Sequence, residues 1–175
     1  MAKAHRLDAG VETVHWGYFD AKLPPLLTVD SGDTVTISTI SGAREMMPPP
    51  PLVVPDALAE VQARVVPKLP GHICTGPVAV RGAKPGQVLE VRIKAIELNY
   101  DWGYNFSGPL TGALPDDFAE RQLMHIALDR RRMIGRLPWG TELPLRPFFG
   151  VMAVAPPAAW GSVSTLPPRR NGGNL

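Results

Sequence analysis

One cysteine, Cys74, is all that the 175 residues contain. A lone thiol excludes an internal disulfide framework and fits a reducing compartment, with the cytoplasm as the expected location. Net charge is nearly absent as well. Lys and Arg number 18 against 16 Asp and Glu, a formal +2, so the balance points neither to nucleic acid nor to an anionic membrane. No apolar stretch approaches transmembrane length, and the opening residues MAKAHRLDAGVETVHW hold no apolar core of signal-peptide length. Long polar low-complexity runs are missing too. The expectation is a soluble protein without a nucleic-acid or membrane partner.

What the chain has in quantity is 20 Pro and 17 Gly. Proline breaks helix interiors and both residues favour turns, so many short strands are expected. The fold class that follows is mainly β, with sandwich-like antiparallel sheets, Pro/Gly-rich loops and one or two short helices. Residues 1–175 are expected to form a single domain, with 46–70 a Pro-rich loop and short helix inserted into it.

Periodicity supports this. Residues 26–29 and 34–40 are β-branched runs around Asp30-Ser31-Gly32-Asp33, a hairpin pattern. Val35 and Ile37 alternate with Thr34, Thr36 and Ser38, which gives one apolar and one polar face. Pro55 suits the start of a helix over 55–66, with Leu58, Val61 and Val65 on one side. Val78 and Val80 mark another strand, 83–86 a turn, and Leu89, Val91 and Ile93 the apolar face of the next strand. Residues 99–122 read as a structured loop, 123–128 as a strand, and 147–157 as a buried apolar run. Arg130-Arg131-Arg132 reads as a solvated turn. Residues 167–175 have loop composition with no closing strand, and His5 lies in a terminus expected to be mobile.

Three segments together resemble the acetamidase/formamidase family: LPPLLTVDSGDTV (23–35), HICTGPVAVRGAKPGQVLEVRI (72–93) and PFFGVMAVAPP (147–157). NGGNL (171–175) is similar to the start of that family's Gly-Gly-Asn segment. The matches occur in order along nearly the whole chain, and the 72–93 segment is the most specific. The resemblance implies a β-rich fold and hydrolysis of short linear amides of the formamide or acetamide type, releasing ammonia. It also implies a divalent metal, commonly zinc. Family members are usually longer, with a further Asp/His/Gly/Glu-rich segment, so the chain is expected to be the N-terminal part of such a protein. A small amide is the expected partner, and a homo-oligomer the expected assembly.

Amide hydrolysis needs a nucleophile, a stabiliser for the oxyanion and an acid for the departing nitrogen; a metal with its water and a carboxylate can divide these tasks. His72, beside a turn and before a strand, is the leading ligand candidate, and His15 the second. Glu45 stands near the position where many relatives carry an aspartate, and is the candidate catalytic carboxylate. Thr75, Gly76, Tyr104, Asn105 and Asn174 are candidate substrate contacts. Asn105 can donate to a carbonyl oxygen and accept from an amide NH2. Trp16, Tyr18 and Phe19 either line a small pocket or form core, and Asp20 either orients a ligand or caps a turn. His125, set among apolar neighbours, reads as structural.

Two other chemistries remain open at this stage. Cys74 shares strand parity with His72, so a Cys–His pair is geometrically allowed, although a buried small side chain is the simpler reading. A cupredoxin-like module would need a Cys, two His and usually a Met clustered near the chain end, and that pattern is missing. The alternative to an enzyme is a catalytically inert chain or a β-sandwich binding module.

Overall fold

The computed structural model describes residues 2–174, the last by its backbone alone. Two compact units emerge. One takes the described parts of Met1–Ala43, Asp56–Lys94 and Phe149–Leu175, and the other takes Arg44–Pro55 and Ala95–Phe148. The Pro-rich stretch thus belongs to the second unit and the helix after it to the first. The protein is mainly β, and no helix among the described residues is long and apolar enough to cross a membrane.

In chain order, the first unit holds β1 (Ala4–Leu7), β2 (Val14–Trp16), β3 (Tyr18–Phe19), β4 (Leu27–Val29), β5 (Thr34–Ile37), β6 (Ile73–Thr75) and β7 (Val78–Val80). The second contains β8 (Trp102–Ser107), β9 (Gln122–Asp129), β10 (Ile134–Arg136) and β11 (Glu142–Pro144). The chain then returns to the first unit with β12 (Val151–Ala153), β13 (Val163–Ser164) and β14 (Gly172–Asn174). Among the described residues, strands of the first unit join in pairs: β1–β5 and β4–β7 are parallel, while β2–β6, β3–β13 and β12–β14 are antiparallel. The second unit is an antiparallel sheet of order β11-β10-β9-β8.

The expected hairpin at 26–40 does not close. Its turn forms, with Asp33 N–H donating to the Asp30 carbonyl at 3.1 Å and Gly32 at φ +91, but β4 and β5 take different partners. The Asp33 carboxylate explains the outcome. It accepts from the backbone N–H of Lys3 at 2.7 Å and of Asp30 at 3.0 Å, and from His5 Nε2 at 2.8 Å. The turn is thereby tied to the N-terminal segment, which lies beside β5 as β1. His5 sits in a strand and not in a mobile end.

These donors hold the Asp33 carboxyl well below the ordinary carboxylate range, the backbone N–H of Lys3 contributing most. The unfolded carboxyl, near 3.8, takes up a proton that the folded one refuses, so this stabilisation is present above that value and is lost as pH falls further. The urea midpoint of wild type should drop between about pH 5 and pH 2, and Asp33→Asn should flatten that drop. An unchanged acid profile in the variant would remove Asp33 from the account.

Helix α1 spans Asp56–Arg64, and Leu58 and Val61 on its inner face are fully buried. Leu7, Trp16, Val29, Ile40 and Ile73 complete the apolar interior of the first unit.

Four further expectations are corrected. The strand expected around Leu89, Val91 and Ile93 does not form; these residues are exposed and outside regular structure. The loop expected at 99–122 contains β8, whose Trp102, Tyr104 and Phe106 alternate with Gly103, Asn105 and Ser107, a strand period hidden by turn-forming residue types. The run at 147–157 yields only β12, and Phe148 and Val154 are exposed. The closing segment is a strand: β14 lies against β12, with Met152 opposite Gly173. Gly172 sits at φ +110, and a Cβ there would overlap the Met152 carbonyl oxygen, so this pairing requires glycine. The triple arginine is a turn, as expected. Asp129 Oδ1 accepts from the N–H groups of Arg131 and Arg132 at 3.0 and 2.9 Å, and the Arg132 guanidinium reaches Glu142.

Candidate active site

The β2–β6 ladder carries the histidines. His15 lies directly opposite Cys74, and opposed residues of an antiparallel pair project to the same face. His72 is two residues before Cys74, and its carbonyl accepts from Gly17 N–H at 2.9 Å, so the antiparallel register continues one step beyond the strand. His15, Cys74 and His72 therefore keep one parity.

The His72 backbone is held from two sides. Its N–H donates to Thr165 Oγ1 at 2.8 Å, and its carbonyl accepts the Gly17 N–H. Thr165, fully buried, in turn donates its own N–H to the Gly17 carbonyl at 3.1 Å. Gly17, His72 and Thr165 thus tie three segments of the chain together. On this fixed backbone, His72 Nε2 is buried and without a hydrogen-bond partner. A buried, unpaired ring nitrogen costs free energy of about 1–3 kcal/mol, so it needs a reason.

His15 is 9 % exposed. Its Nδ1 meets the Gly76 carbonyl at 3.3 Å, and Tyr18 and Phe19 stand edge-on to the ring at 5.6 and 6.4 Å. Burial pushes its pKa below the ordinary histidine value, with the Gly76 carbonyl opposing the shift. The imidazole is thus neutral near pH 7, as a metal ligand must be. A carbonyl on Nδ1 also fixes the tautomer that leaves Nε2 as the acceptor.

Thr75 and Gly76 are engaged with other segments of the first unit. Thr75 Oγ1 donates to the Ser38 carbonyl at 3.0 Å, and Gly76 N–H donates to the Thr13 carbonyl at 3.0 Å. Cys74 is partly buried, and burial pushes its thiol up to about 11. No positive group offsets that shift, so the thiol is a poor nucleophile at neutral pH. Asp20 caps its turn: Oδ1 accepts from Lys22 N–H at 2.9 Å and Oδ2 from Ser162 Oγ at 2.5 Å. The Asn174 side chain lies outside the described residues. Asn171, not singled out from sequence, is buried; its Nδ2 donates to the Val154 carbonyl at 3.1 Å while Oδ1 has no partner.

The second unit holds Glu45, Tyr104 and Asn105. Glu45 is exposed in a 3-10 turn over Arg44–Met46, and Asn105 is exposed on β8. Tyr104 is half-buried opposite His125. His125 Nε2 meets the Met46 carbonyl at 2.9 Å, Trp102 Nε1 donates to the Val53 carbonyl at 2.8 Å, and the two rings meet edge to face at 6.4 Å. Tyr100 stacks on Trp102, and burial pushes its phenol up to about 12. These contacts hold His125 within the second unit.

Among the described residues, no three or more His, Cys, Asp or Glu side chains converge as a metal-holding group. The donor chemistry of His72 and His15 fits zinc nonetheless, since both imidazoles offer an unengaged Nε2. Thr165 and Gly17 escaped the sequence reading because each acts through its backbone or hydroxyl on a residue far away in the chain. Only the glycine itself marked Gly17.

The architecture defines the class of protein. It matches the crystal structure of a recombinant predicted acetamidase/formamidase from the thermophile Thermoanaerobacter tengcongensis, at 26 % identity and a TM-score of 0.74, over 99 % of this chain and 52 % of that one. It also has the fold of an acetamidase from Bacillus halodurans, at 23 % identity and a TM-score of 0.67, over 97 % of this chain and 52 % of that one. The model of the Acetamidase/Formamidase family matches residues 7–162, and the chain belongs to that family. It spans about half the length of these solved relatives. A search of curated proteins gave no match.

Proposed function

We propose that the protein acts in hydrolysis of the carbon–nitrogen bond of short linear amides, with zinc held in part by Nε2 of His72 and of His15. The observation that supports this reading most is the unpaired, buried His72 Nε2 on a doubly fixed backbone, in a member of an amidase family. Zinc supplies a Lewis acid and a lowered pKa for its water.

The chain's own residues do the rest of what is proposed here. The Gly76 carbonyl orients the His15 ring, and burial keeps it neutral and ready to donate its lone pair. Thr165 and Gly17 set the height of His72 in the same face. Tyr18 and Phe19 stand edge-on to the His15 ring and give that side an apolar wall. The remaining ligands come from outside this pair.

A second reading, a catalytically inert chain, is favoured by the lack of a third converging ligand among the described residues. One experiment separates the two. Purified protein is loaded with zinc, its metal content measured, and ammonia release followed with formamide and with acetamide. The proposal expects bound zinc and ammonia release that stops on chelation and returns with zinc. Bound zinc without ammonia supports the inert reading, and no zinc at all overturns the metal site.

A further inference from the structure

The His15 imidazole is held loosely by its own hydrogen bond. Its Nδ1 stands 3.3 Å from the Gly76 carbonyl, beyond the usual range for such a bond, so ring packing has to share in fixing it. Tyr18, edge-on at 5.6 Å, is the nearer of its two aromatic neighbours. Yet β3, which carries Tyr18, pairs with β13 over two residues only. So short a ladder fixes the Tyr18 backbone and leaves the ring torsion to whatever lies on the ring's face. That neighbour is Lys68, whose Nζ sits 4.6 Å from the ring centroid. The same ammonium faces Asp20 Oδ2 at 3.8 Å, and the Asp20 side chain is only 10 % exposed. Asp20 is itself pinned, by the Ser162 hydroxyl on Oδ2 and the Lys22 N–H on Oδ1. At its other end Lys68 is fixed by its backbone N–H, which donates to the Trp16 carbonyl at 3.1 Å.

We propose that Lys68, anchored by Asp20, is a positioning residue: its ammonium holds the Tyr18 ring against His15, and so holds the imidazole with Nδ1 toward Gly76 and Nε2 unengaged. An ammonium over a phenol face is attracted by the ring's negative face, and a buried, hydrogen-bonded carboxylate keeps it there. A half-exposed Lys–Asp pair contributes little to stability, so the contribution of Lys68 lies in where it places the ring. The consequence for zinc rests on the function proposed above. The placement itself is a property of the metal-free protein, so the two stand or fall separately.

Nuclear magnetic resonance of the zinc-free protein tests this through the ring protons of His15 and Tyr18. Lys68→Met keeps the aliphatic stem and removes the charge, and Asp20→Asn weakens the anchor. Both should weaken the cross-relaxation between the two rings and shift the His15 ring protons, with the circular dichroism of wild type retained. Lys68→Arg, which can still cover the ring with a cation, should restore the wild-type signals. Zinc affinity gives a second readout with an informative sign. Losing a positive charge near a cation site would by itself tighten zinc, whereas a loosened His15 should weaken it, by about two- to fivefold in Lys68→Met. Wild-type ring signals in folded Lys68→Met, or zinc bound more tightly by it, overturn the proposal. Absence of zinc from every protein, wild type included, overturns the metal site alone, and the ring signals then decide the role of Lys68.

Discussion

Gly17→Ala should be the most damaging single methyl that can be added to the first unit. Gly17 lies at φ +88, where an L side chain costs about 1–2 kcal/mol. The new Cβ would also overlap the Leu69 carbonyl oxygen, with the Leu69 backbone behind it. Backbone cannot rotate aside as a flexible side chain can, so either residue 17 or residue 69 must move. Residue 17 is tied to His72 and Thr165, and Trp16 accepts the Lys68 N–H at 3.1 Å, so movement breaks hydrogen bonds on both sides. A total cost above about 3 kcal/mol follows, read as the shift in urea unfolding free energy. Gly32→Ala is the natural control. Gly32 has nearly the same φ, +91, but open space where its Cβ would stand. Only the conformational cost applies there, so Gly17→Ala should exceed it by about 2 kcal/mol. Equal losses at the two positions would show that the close approach at Leu69 is not a constraint.

That contrast also shows what was legible beforehand. A glycine is visible in a sequence, but whether its missing side chain serves a turn or a close approach depends on a residue far along the chain. The same limit explains the hairpin. The turn at Asp30–Asp33 was read correctly because its chemistry is local, while the partners of β4 and β5 depend on Asp33 capturing Lys3 and His5. Helix α1 was legible because its apolar spacing and its preceding proline are local too. Residues 88–94 show the reverse case. Alternation reports a strand-forming tendency, and a strand also needs a neighbour, which no periodicity can supply. At the candidate site, the His–x–Cys spacing revealed parity, but the opposing His15 emerged only from the β2–β6 register.

Under the proposed function, His72→Ala should abolish stoichiometric zinc and lower amide turnover by a factor of about 1,000 or more, since losing a ligand removes the metal's electrostatic contribution of several kcal/mol. Folding should survive, because the Nε2 removed has no protein partner to lose, and the backbone contacts of residue 72 do not involve its ring. Thr165→Val separates position from ligation. It keeps the shape but removes the hydroxyl that accepts the His72 N–H, leaving that N–H unpaired at a cost of about 1–3 kcal/mol. With the ring intact but less firmly placed, zinc affinity should fall about 10–100-fold without being lost, as for an outer-shell partner. Thr165→Ser, which retains the hydroxyl, should recover most of it. Cys74→Ala should leave turnover within about twofold, because a thiol pushed up to about 11 is almost wholly protonated at neutral pH. A mechanism with cysteine as nucleophile requires Cys74→Ala to be inactive and wild-type turnover to be indifferent to removal of zinc. The metal content and turnover of these four variants therefore decide between an imidazole that holds a metal and a thiol that attacks the amide.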